Sequence, residues 1–298
     1  MVAAGAADGA RPGSSGRAPS GTSSAGTGPG ADAGRPLLRL RALGKNFGPV
    51  QALAQVSLDI PAGQVTALVG DNGAGKSTLI KTIAGIWEPS SGELIWQGRP
   101  VRLHGPADAA GLGIATVYQD LALADNLDIV QNMMLGREKL RYGLLDETSM
   151  ELTAKQTLAD LRVTTVRNIR QPVGSLSGGQ RQSVAVAKAV MADARLVIMD
   201  EPTAALGVTQ TELVLSLIER LAGRGHAVLL VSHNLNEVFR VADRLAVLYL
   251  GRLAAAGPAA EFDTQSVVEL MTTGASARVG ENGKVSEPAS ARGQGREG

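Results

Sequence analysis

A glycine-rich loop between a predicted strand and a predicted helix constrains this chain more than any other feature. The loop follows the apolar run 64–69 and precedes the helical pattern 79–84. Its glycines let backbone N–H groups approach an anion, and the N-terminal dipole of the helix favours negative charge. The sequence therefore predicts a site for nucleotide phosphates, formed by Gly70, Asp71, Asn72, Gly73, Ala74, Gly75, Lys76, Ser77 and Thr78.

Two side chains at the end of this loop match the chemistry of a nucleotide site. Lys76 supplies a positive charge for the outer phosphates, and the Ser77 hydroxyl is placed to bind Mg²⁺. Because the bare pattern is short, the alternative is a glycine-rich turn that contains Lys-Ser by chance. The strand before the loop and the helix after it favour phosphate binding.

The apolar pattern of the remaining chain predicts an α/β fold. Continuous apolar runs at 196–199 and 227–231 are typical of parallel strands covered on both faces, and 209–221 between them has helical periodicity. We expect a mostly parallel sheet flanked by helices, with a small antiparallel β-subdomain and an inserted helical subdomain. The antiparallel sheet is expected from three segments, of which the first two alternate apolar and polar residues: 37–43, 52–60 and 93–103.

Composition divides the 298 residues into a structured centre and two tails. Residues 1–36 and 274–298 consist mainly of small and polar residues, and such segments bury too little surface to offset the entropy of ordering. We expect both tails to be disordered and 37–273 to form one domain. Within it, about 120–190 forms the helical subdomain, and 128–163 is expected to be mostly helical.

Composition also narrows the functional classes. The 44% of hydrophobic residues suffices for a buried core, and the net charge of +1 gives no electrostatic reason to expect direct binding of nucleic acid. The absence of cysteine excludes disulfides and thiolate chemistry. No run approaches the roughly 20 apolar residues of a membrane span. We therefore expect a soluble, globular protein.

A pair of carboxylates follows the predicted strand 196–199. Asp200 and Glu201 are expected at the carboxyl edge of a parallel sheet, where open α/β sheets bind ligands. Asp200 is placed to hold Mg²⁺ through water, and Glu201 to orient or polarise the water that attacks the γ-phosphate. The alternative is an acidic strand end solvated at the surface, but the phosphate loop upstream favours the catalytic interpretation.

A second helix start has the features of a phosphate-binding one. Ser177 is a good N-cap, and the two glycines after it leave backbone N–H groups uncovered. Because one chain needs only one such start for its nucleotide, this helix is a candidate to face the γ-phosphate on another subunit. The alternative is an ordinary capped helix. The residues concerned are Ser177, Gly178, Gly179 and Gln180.

Together these elements resemble the nucleotide-binding subunit of ATP-binding cassette (ABC) transporters over 37–273. The resemblance rests on motifs in the family's order: 70–77, Gln119, 176–180, 196–201 and His233. It implies a P-loop NTPase core that binds and hydrolyses ATP with Mg²⁺. Because the chain carries one set of motifs, it also implies a homodimer in which Ser177 of each copy closes the Lys76 site of the other.

The resemblance assigns roles to three further residues. Phe47 corresponds to the aromatic residue that stacks on adenine, with an edge-strand core residue as the alternative. Gln119 corresponds to the glutamine that senses the γ-phosphate and Mg²⁺ and links to the membrane partner. The alternative is a polar residue that ends a strand and has no contact with nucleotide. His233 corresponds to the switch histidine at the γ-phosphate, with a structural histidine as the alternative. At Gly207 the chain departs from the family, which usually has an Asp that helps couple the two ATP sites.

The sequences at 117–123, 201–208 and 231–235 are similar to ATPases of bacterial ribose, xylose and fructose importers. This similarity implies a peripheral protein on the cytoplasmic face of the membrane, with permease subunits as direct partners and a sugar-binding protein as an indirect one. An apolar groove for the permease is expected from five residues, with an internal helical core as the alternative: Leu121, Leu123, Leu127, Met133 and Met134.

Two other classes of protein share part of the pattern. A soluble cassette ATPase that acts on DNA or ribosomes shares every nucleotide motif, but usually has two cassettes, a coiled-coil arm or basic patches. A P-loop kinase or GTPase shares the loop but has no use for 176–180. These residues do not indicate which sugar is transported or in which direction, because the substrate never touches this subunit.

Overall fold

A six-stranded sheet forms the centre of the computed structural model, which describes residues 36–276 except 192 and 205. The predicted tails lie outside these residues apart from their inner ends. Five strands run parallel and the last strand runs antiparallel at one edge. In spatial order the strands are β12 (Arg252–Pro258), β11 (Arg244–Tyr249), β3 (Val65–Gly70), β10 (Ala227–Val231), β9 (Leu196–Asp200) and β6 (Ile114–Val117).

A second sheet of four antiparallel strands packs its apolar side chains into a core shared with the central sheet. That core joins Leu38 and Leu53 of the smaller sheet to Leu68, Ile198 and Leu229 of the larger one. The expected antiparallel sheet is confirmed, and its first strands are longer than the predicted segments. Its strands in spatial order are β2 (Val50–Ile60), β1 (Leu38–Phe47), β4 (Ser91–Trp96) and β5 (Arg99–Val101).

The two faces of the central sheet belong to different cores because side chains alternate along a strand. In β9, Val197 and Met199 join the core on one face, whereas Leu196 and Ile198 join the core on the other. All four are fully buried. This explains why β9 and β10 have continuous apolar sequences, as strands covered on both faces require.

Helices cover the faces of the central sheet. Helices α3, α4 and α5 pack on one another and share an apolar core with one face of the sheet, which α6 also joins. The described residues contain no helix long and apolar enough to span a membrane. The helices of this part of the chain are α1 (Lys76–Ile83), α2 (Pro106–Gly111), α3 (Ile129–Met134), α4 (Glu147–Asp160), α5 (Gly178–Val190), α6 (Val208–Gly223), α7 (Leu235–Val241) and α8 (Thr264–Thr273).

The segment 128–163 is mostly helical, as predicted, but its middle is not. Helix α3 has only 6 residues, and a hairpin of β7 (Leu140–Arg141) and β8 (Leu144–Leu145) separates it from α4. The chain leaves the helical conformation at Gly136, whose φ of 79° is left-handed. A short segment that contains glycine therefore interrupts the helical structure that the pattern of polar and apolar residues suggests.

The expected groove of apolar side chains is not formed by the methionines. Met133 and Met134 are 1% and 2% exposed and belong to the core shared by the helices and the sheet. Leu121 and Leu123 are partly buried against the same core. The alternative of an internal helical core is therefore correct for these residues.

A buried asparagine anchors the loop between β6 and α3. The Asn132 side chain is fully buried, and its Oδ1 accepts a hydrogen bond from the Ala124 N–H at 2.8 Å. Its Nδ2 donates to the carbonyl oxygens of Ala124, Leu127 and Asp128 at 2.9, 3.1 and 3.0 Å. Because this loop directly follows Gln119, Asn132 also restricts the path of the chain leaving Gln119.

We expect Asn132→Ala to lower the free energy of unfolding by about 2–4 kcal/mol, because buried backbone groups of the loop lose their partners. Urea denaturation followed by circular dichroism measures this change. The control is Asn236→Ala, at an exposed position on α7, which should stay within about 0.5 kcal/mol of the unmodified protein. Equal stability of the two variants would contradict the anchoring role of Asn132.

Candidate functional site

The strand order of the central sheet brings the candidate site residues to one edge. The glycine loop follows β3, His233 follows β10, Asp200 and Glu201 close β9, and Gln119 follows β6. These strands are parallel neighbours in the order β3, β10, β9, β6. Their carboxyl ends therefore meet, and residues far apart in the sequence become neighbours.

A pocket of about 630 Å³ lies at this edge. Its volume falls within the roughly 300–1,000 Å³ of small-molecule sites. Segments 50–52 and 250–251 line it too. No motif predicted them, because they come from other parts of the two sheets. Gly70, Asp71 and Ala74 complete the loop without lining the pocket. The predicted residues in its wall are Asn72, Gly73, Gly75, Lys76, Ser77, Thr78, Gln119, Asp200 and Glu201.

The backbone of the loop requires glycine at two positions. Gly75 has a φ of 104°, and a Cβ there would lie 2.9 Å from the carbonyl oxygen of Ala52. Gly70 has a φ of 159°, and a Cβ there would lie 2.5 Å from the carbonyl oxygen of Leu248. Gly75 also begins α1 without a side-chain cap, so the first-turn N–H groups remain available to an anion.

Lys76 places a buried positive charge beneath the loop. Its Nζ donates hydrogen bonds to the carbonyl oxygens of Gly70 at 2.7 Å and Asp71 at 3.0 Å. Burial lowers the pKa of Lys76, while the nearby carboxylates of Glu201, Asp71 and Asp200 act in the opposite direction. Among the described residues the third donor of this ammonium has no acceptor, so the geometry fits a phosphate oxygen.

Asp200 carries a charge that the protein alone does not fully compensate. Burial raises the pKa of its carboxyl above the ordinary value, and the charge of Glu201 adds to this effect. Lys76 and Lys81 oppose the shift. A divalent cation would favour the ionised carboxylate, and three oxygen donors of the kind that Mg²⁺ prefers line the pocket: Ser77, Gln119 and Asp200.

Glu201 is held at the pocket by its backbone and by His233. Its φ of 48° is left-handed, an uncommon conformation for a residue with a side chain, and its N–H donates to the Val231 carbonyl at 2.9 Å. The Nδ1 of His233 lies 3.1 Å from Oε1 of Glu201. His233 therefore contacts the site through the carboxylate, while its ring remains largely exposed.

Phe47 lies beside the pocket without lining it. It ends β1 opposite Val50, which does line the pocket, and its side chain is 40% exposed, unlike a core residue. The ring meets Trp87 edge to face, with centroids 4.7 Å apart. The ammonium groups of Lys45 and Lys81 lie 5.1 and 5.0 Å from the centroids of Phe47 and Trp87. Sequence reasoning missed Trp87, because only the tertiary contact links it to Phe47.

The second helix start lies outside the pocket of its own chain. Ser177 is the N-cap of α5, as predicted, and its N–H donates to Oε1 of Gln180 at 2.9 Å in a capping box. Among the described residues, 177–180 do not line the pocket. The structure therefore separates this motif from Lys76 within one copy, which leaves it available to a second copy.

Gly207 begins α6 where a capping side chain is usual. Its φ of −74° suits any residue, and a Cβ there would meet nothing within 4 Å. Neither a steric clash nor the backbone conformation therefore requires glycine at this position. As a result of the glycine, the start of α6 has no side-chain cap.

A protein-family model and several known proteins are similar to this chain. A family model described as ABC transporter matches residues 53–204. The chain is 44% identical over 244 residues to the fructose import ATP-binding protein of Rhizobium meliloti, covering 80% of this chain and 94% of that protein. It is 44% identical over 243 residues to the xylose/arabinose import ATP-binding protein of Sulfolobus acidocaldarius, covering 82% of this chain and 96% of that protein.

A ribose import ATP-binding protein of Rubrobacter xylanophilus is 42% identical over 236 residues, covering 79% of this chain but only 47% of that longer protein. Among solved structures, a nucleotide-free ATP-binding cassette from an ABC transporter has a TM-score of 0.64 at 26% identity, covering 74% and 91% of the two chains. A cassette solved in an ADP conformation has a TM-score of 0.68 at 25% identity, covering 80% and 95%. The P-loop NTPase fold predicted from the sequence is thereby confirmed.

We expect Asp200→Asn to raise the free energy of unfolding of the nucleotide-free protein, because it removes a charge that burial disfavours. The gain should be complete above the raised pKa of Asp200. It should shrink as the pH falls through that pKa towards the ordinary value, because the unmodified carboxyl then becomes neutral in the folded protein. Urea denaturation at a series of pH values measures both effects.

The control for this measurement is Asp160→Asn, which neutralises an exposed carboxylate at the end of α4. Its effect should stay within about 0.5 kcal/mol at each pH. An Asp200→Asn variant that is less stable than the unmodified protein at neutral pH would show that the charge of Asp200 stabilises the nucleotide-free fold.

Proposed function

The chain belongs to the ABC transporter family, and we propose that it is the ATP-hydrolysing subunit that powers import of a monosaccharide through a separate permease. The observation that carries this proposal is the convergence of Lys76, Gln119, Asp200 and Glu201 on one pocket. The sugar class is supported by the similarity to import proteins for fructose, xylose/arabinose and ribose. The family's ATPases hydrolyse ATP, and this chain has the groups that such a reaction needs.

In the proposed reaction, ATP is the substrate and each group has one task. The uncapped N–H groups of α1 and the ammonium of Lys76 bind the outer phosphates. Glu201 accepts a hydrogen bond from the attacking water and orients it towards the γ-phosphate. His233, 3.1 Å from Glu201, holds that carboxylate in place and adds a donor near the γ-phosphate.

Mg²⁺ would be held by the oxygen donors of Ser77, Gln119 and Asp200. When bound, it neutralises charge on the phosphate oxygens as the bond to the γ-phosphate breaks. Phe47, next to Val50 at the rim of the pocket, is proposed to stack on adenine, with Trp87 supporting its ring from the edge.

The pocket of one copy is half of the proposed catalytic site. The residues of the helix start at 177–180 are not among those that line the pocket in the same copy. Gly179 is buried against Gln210 of α6, so the expectation that both glycines are uncovered is wrong for Gly179. We infer a homodimer in which the N–H groups at the start of α5 face the γ-phosphate bound by the other copy. Neutral backbone donors there need no charge of their own to stabilise the phosphate.

The permease is proposed to contact the cavity next to Gln119. This cavity of about 220 Å³ is lined by Ala109 of α2, by Tyr118 and by Arg137 after α3. The Tyr118 hydroxyl is neutral at physiological pH and can donate a hydrogen bond to a bound segment, and burial raises its pKa further. Because Tyr118 directly precedes Gln119, a segment seated here is coupled to the Mg²⁺ site through one peptide unit.

We propose that the protein works as a peripheral subunit on the cytoplasmic face of the membrane. A sugar-binding protein on the other side is expected as an indirect partner of the permease. The test is uptake of radiolabelled fructose, xylose and ribose by cells that carry either the unmodified chain or the Glu201→Gln variant. We expect uptake of at least one sugar to be lost with the variant, because transport needs hydrolysis.

The control in that test is a Glu212→Gln variant, which changes an exposed carboxylate of α6 away from the pocket. Uptake should persist with it. Unchanged uptake of all sugars by the Glu201→Gln cells, together with copurification of the chain with ribosomes or nucleic acid instead of a membrane permease, would overturn the proposed function.

We expect Ser177→Asp to lower ATP hydrolysis by roughly tenfold or more while ATP binding to a single copy is retained, because a carboxylate then faces the triphosphate across the dimer. Asp caps a helix as well as Ser does, so α5 should keep its stability. Steady-state hydrolysis and binding of a fluorescent ATP analogue measure the two effects.

The matched control is Thr164→Asp, which adds the same charge at an exposed loop position of the helical subdomain. Its rate of hydrolysis should change by less than about twofold. If Ser177→Asp weakened ATP binding and hydrolysis in equal proportion, Ser177 would belong to the pocket of its own chain.

A further inference from the structure

The hairpin between α3 and α4 exposes an unusual concentration of apolar side chains. Leu140, Leu144 and Leu145 are 66%, 75% and 56% exposed, and Tyr142 at the turn is 94% exposed. Scattered apolar residues are normal on a surface, but four within six consecutive positions form a patch. Neither the nucleotide pocket nor the cavity beside Gln119 includes these four residues.

The apolar residues occupy both faces of the hairpin. Leu140 lies opposite Leu145 and Arg141 lies opposite Leu144, so these two pairs project on opposite sides. A protein partner docking on a sheet covers one face, whereas a lipid interface surrounds an inserted tip on every side. The pattern of exposure therefore favours a lipid surface over a protein surface.

The tip carries an aromatic residue where the backbone does not favour one. Tyr142 and Gly143 have φ values of 55° and 82°, the pattern of a type I′ turn, whose first position suits Asn, Asp or Gly. A tyrosine here costs stability and gains little packing in the fold, since it is almost fully exposed. Tyrosine is enriched at membrane interfaces, where its ring is apolar and its hydroxyl meets water.

The charges nearest the tip of the hairpin are basic. Residues 139–145 contain Lys139 and Arg141, and an acidic residue flanks this segment at each end, Glu138 and Asp146. The Arg141 guanidinium lies 5.6 Å from the centroid of the Tyr142 ring. Long basic side chains next to apolar ones keep their stems in the apolar layer and their charges among the headgroups.

We propose that this hairpin inserts its tip into the interfacial layer of an anionic membrane leaflet. Tyr142 and the three leucines bury their side chains among the upper acyl chains, and Lys139 and Arg141 contact phosphate groups. The proposal rests on the proposed function, since it requires a subunit that works at a membrane. It gives the chain a lipid contact of its own, independent of the permease.

The test is cosedimentation of the purified full chain with vesicles, made of phosphatidylcholine alone or of phosphatidylcholine with phosphatidylglycerol. We expect binding to the mixed vesicles that weakens with added salt, and little binding to the neutral ones. Tyr142→Asn should reduce binding by roughly tenfold, because it removes the aromatic anchor. Asn suits the turn, so the midpoint of thermal unfolding should be unchanged or higher.

The matched control is Leu152→Asn on α4, an apolar position that is 63% exposed outside the hairpin. It should leave vesicle binding unchanged. Absence of binding by the unmodified chain, or equal binding by the Tyr142→Asn variant, overturns the proposal.

Two further measurements separate this proposal from the proposed function. If Tyr142→Asn abolishes copurification with the permease while the unmodified chain ignores vesicles, the hairpin is a protein contact and the lipid proposal is wrong. If vesicle binding fails but sugar uptake still depends on Glu201, the proposed function stands without it.

Discussion

The order of four parallel strands is the constraint on which the rest of this structure depends. Because β3, β10, β9 and β6 are neighbours, the glycine loop, His233, the two carboxylates and Gln119 end at one edge of the sheet. The same order sets the electrostatics of the pocket. It places a buried ammonium, Lys76, near a half-buried carboxyl, Asp200, so that burial disfavours both charges. A magnesium-bound triphosphate, the proposed ligand, offers the opposite charge to each of them.

Strong local patterns in the sequence predicted the central elements, because glycine at a loop and continuous apolar runs have few alternative structures. The capped helix at Ser177 and the buried strands β9 and β10 are confirmed. Other features depend on contacts between distant segments and leave no local pattern. Trp87 meets Phe47 only in the folded chain, and Asn132 satisfies backbone groups of a loop that has no regular structure. The proposed roles of Lys76, Gln119, Asp200 and Glu201 rest on their shared pocket.

Two features were not settled by the sequence, for different physical reasons. For the methionines of α3 a surface groove and an internal core were both open, because flexible side chains suit docking and also fill irregular cores. The hairpin after α3 was missed because two-residue strands carry too little pattern to be recognised. That hairpin and the cavity at Tyr118 now mark the surfaces through which an ATP-driven subunit would meet its surroundings. Both surfaces lie outside the nucleotide pocket. The cavity is lined by Tyr118, which precedes Gln119, and the hairpin comes directly after α3 in the chain.

One copy is proposed to hold half of a catalytic site that a second copy completes. The most direct measurement is the mass of the Glu201→Gln variant in solution by light scattering, with ATP and Mg²⁺ and without them. We expect single chains without nucleotide and twice that mass with it, because the bound triphosphate joins Lys76 of one copy to the α5 helix start of the other. Single chains at every protein concentration, with nucleotide present and the permease added, would contradict the account.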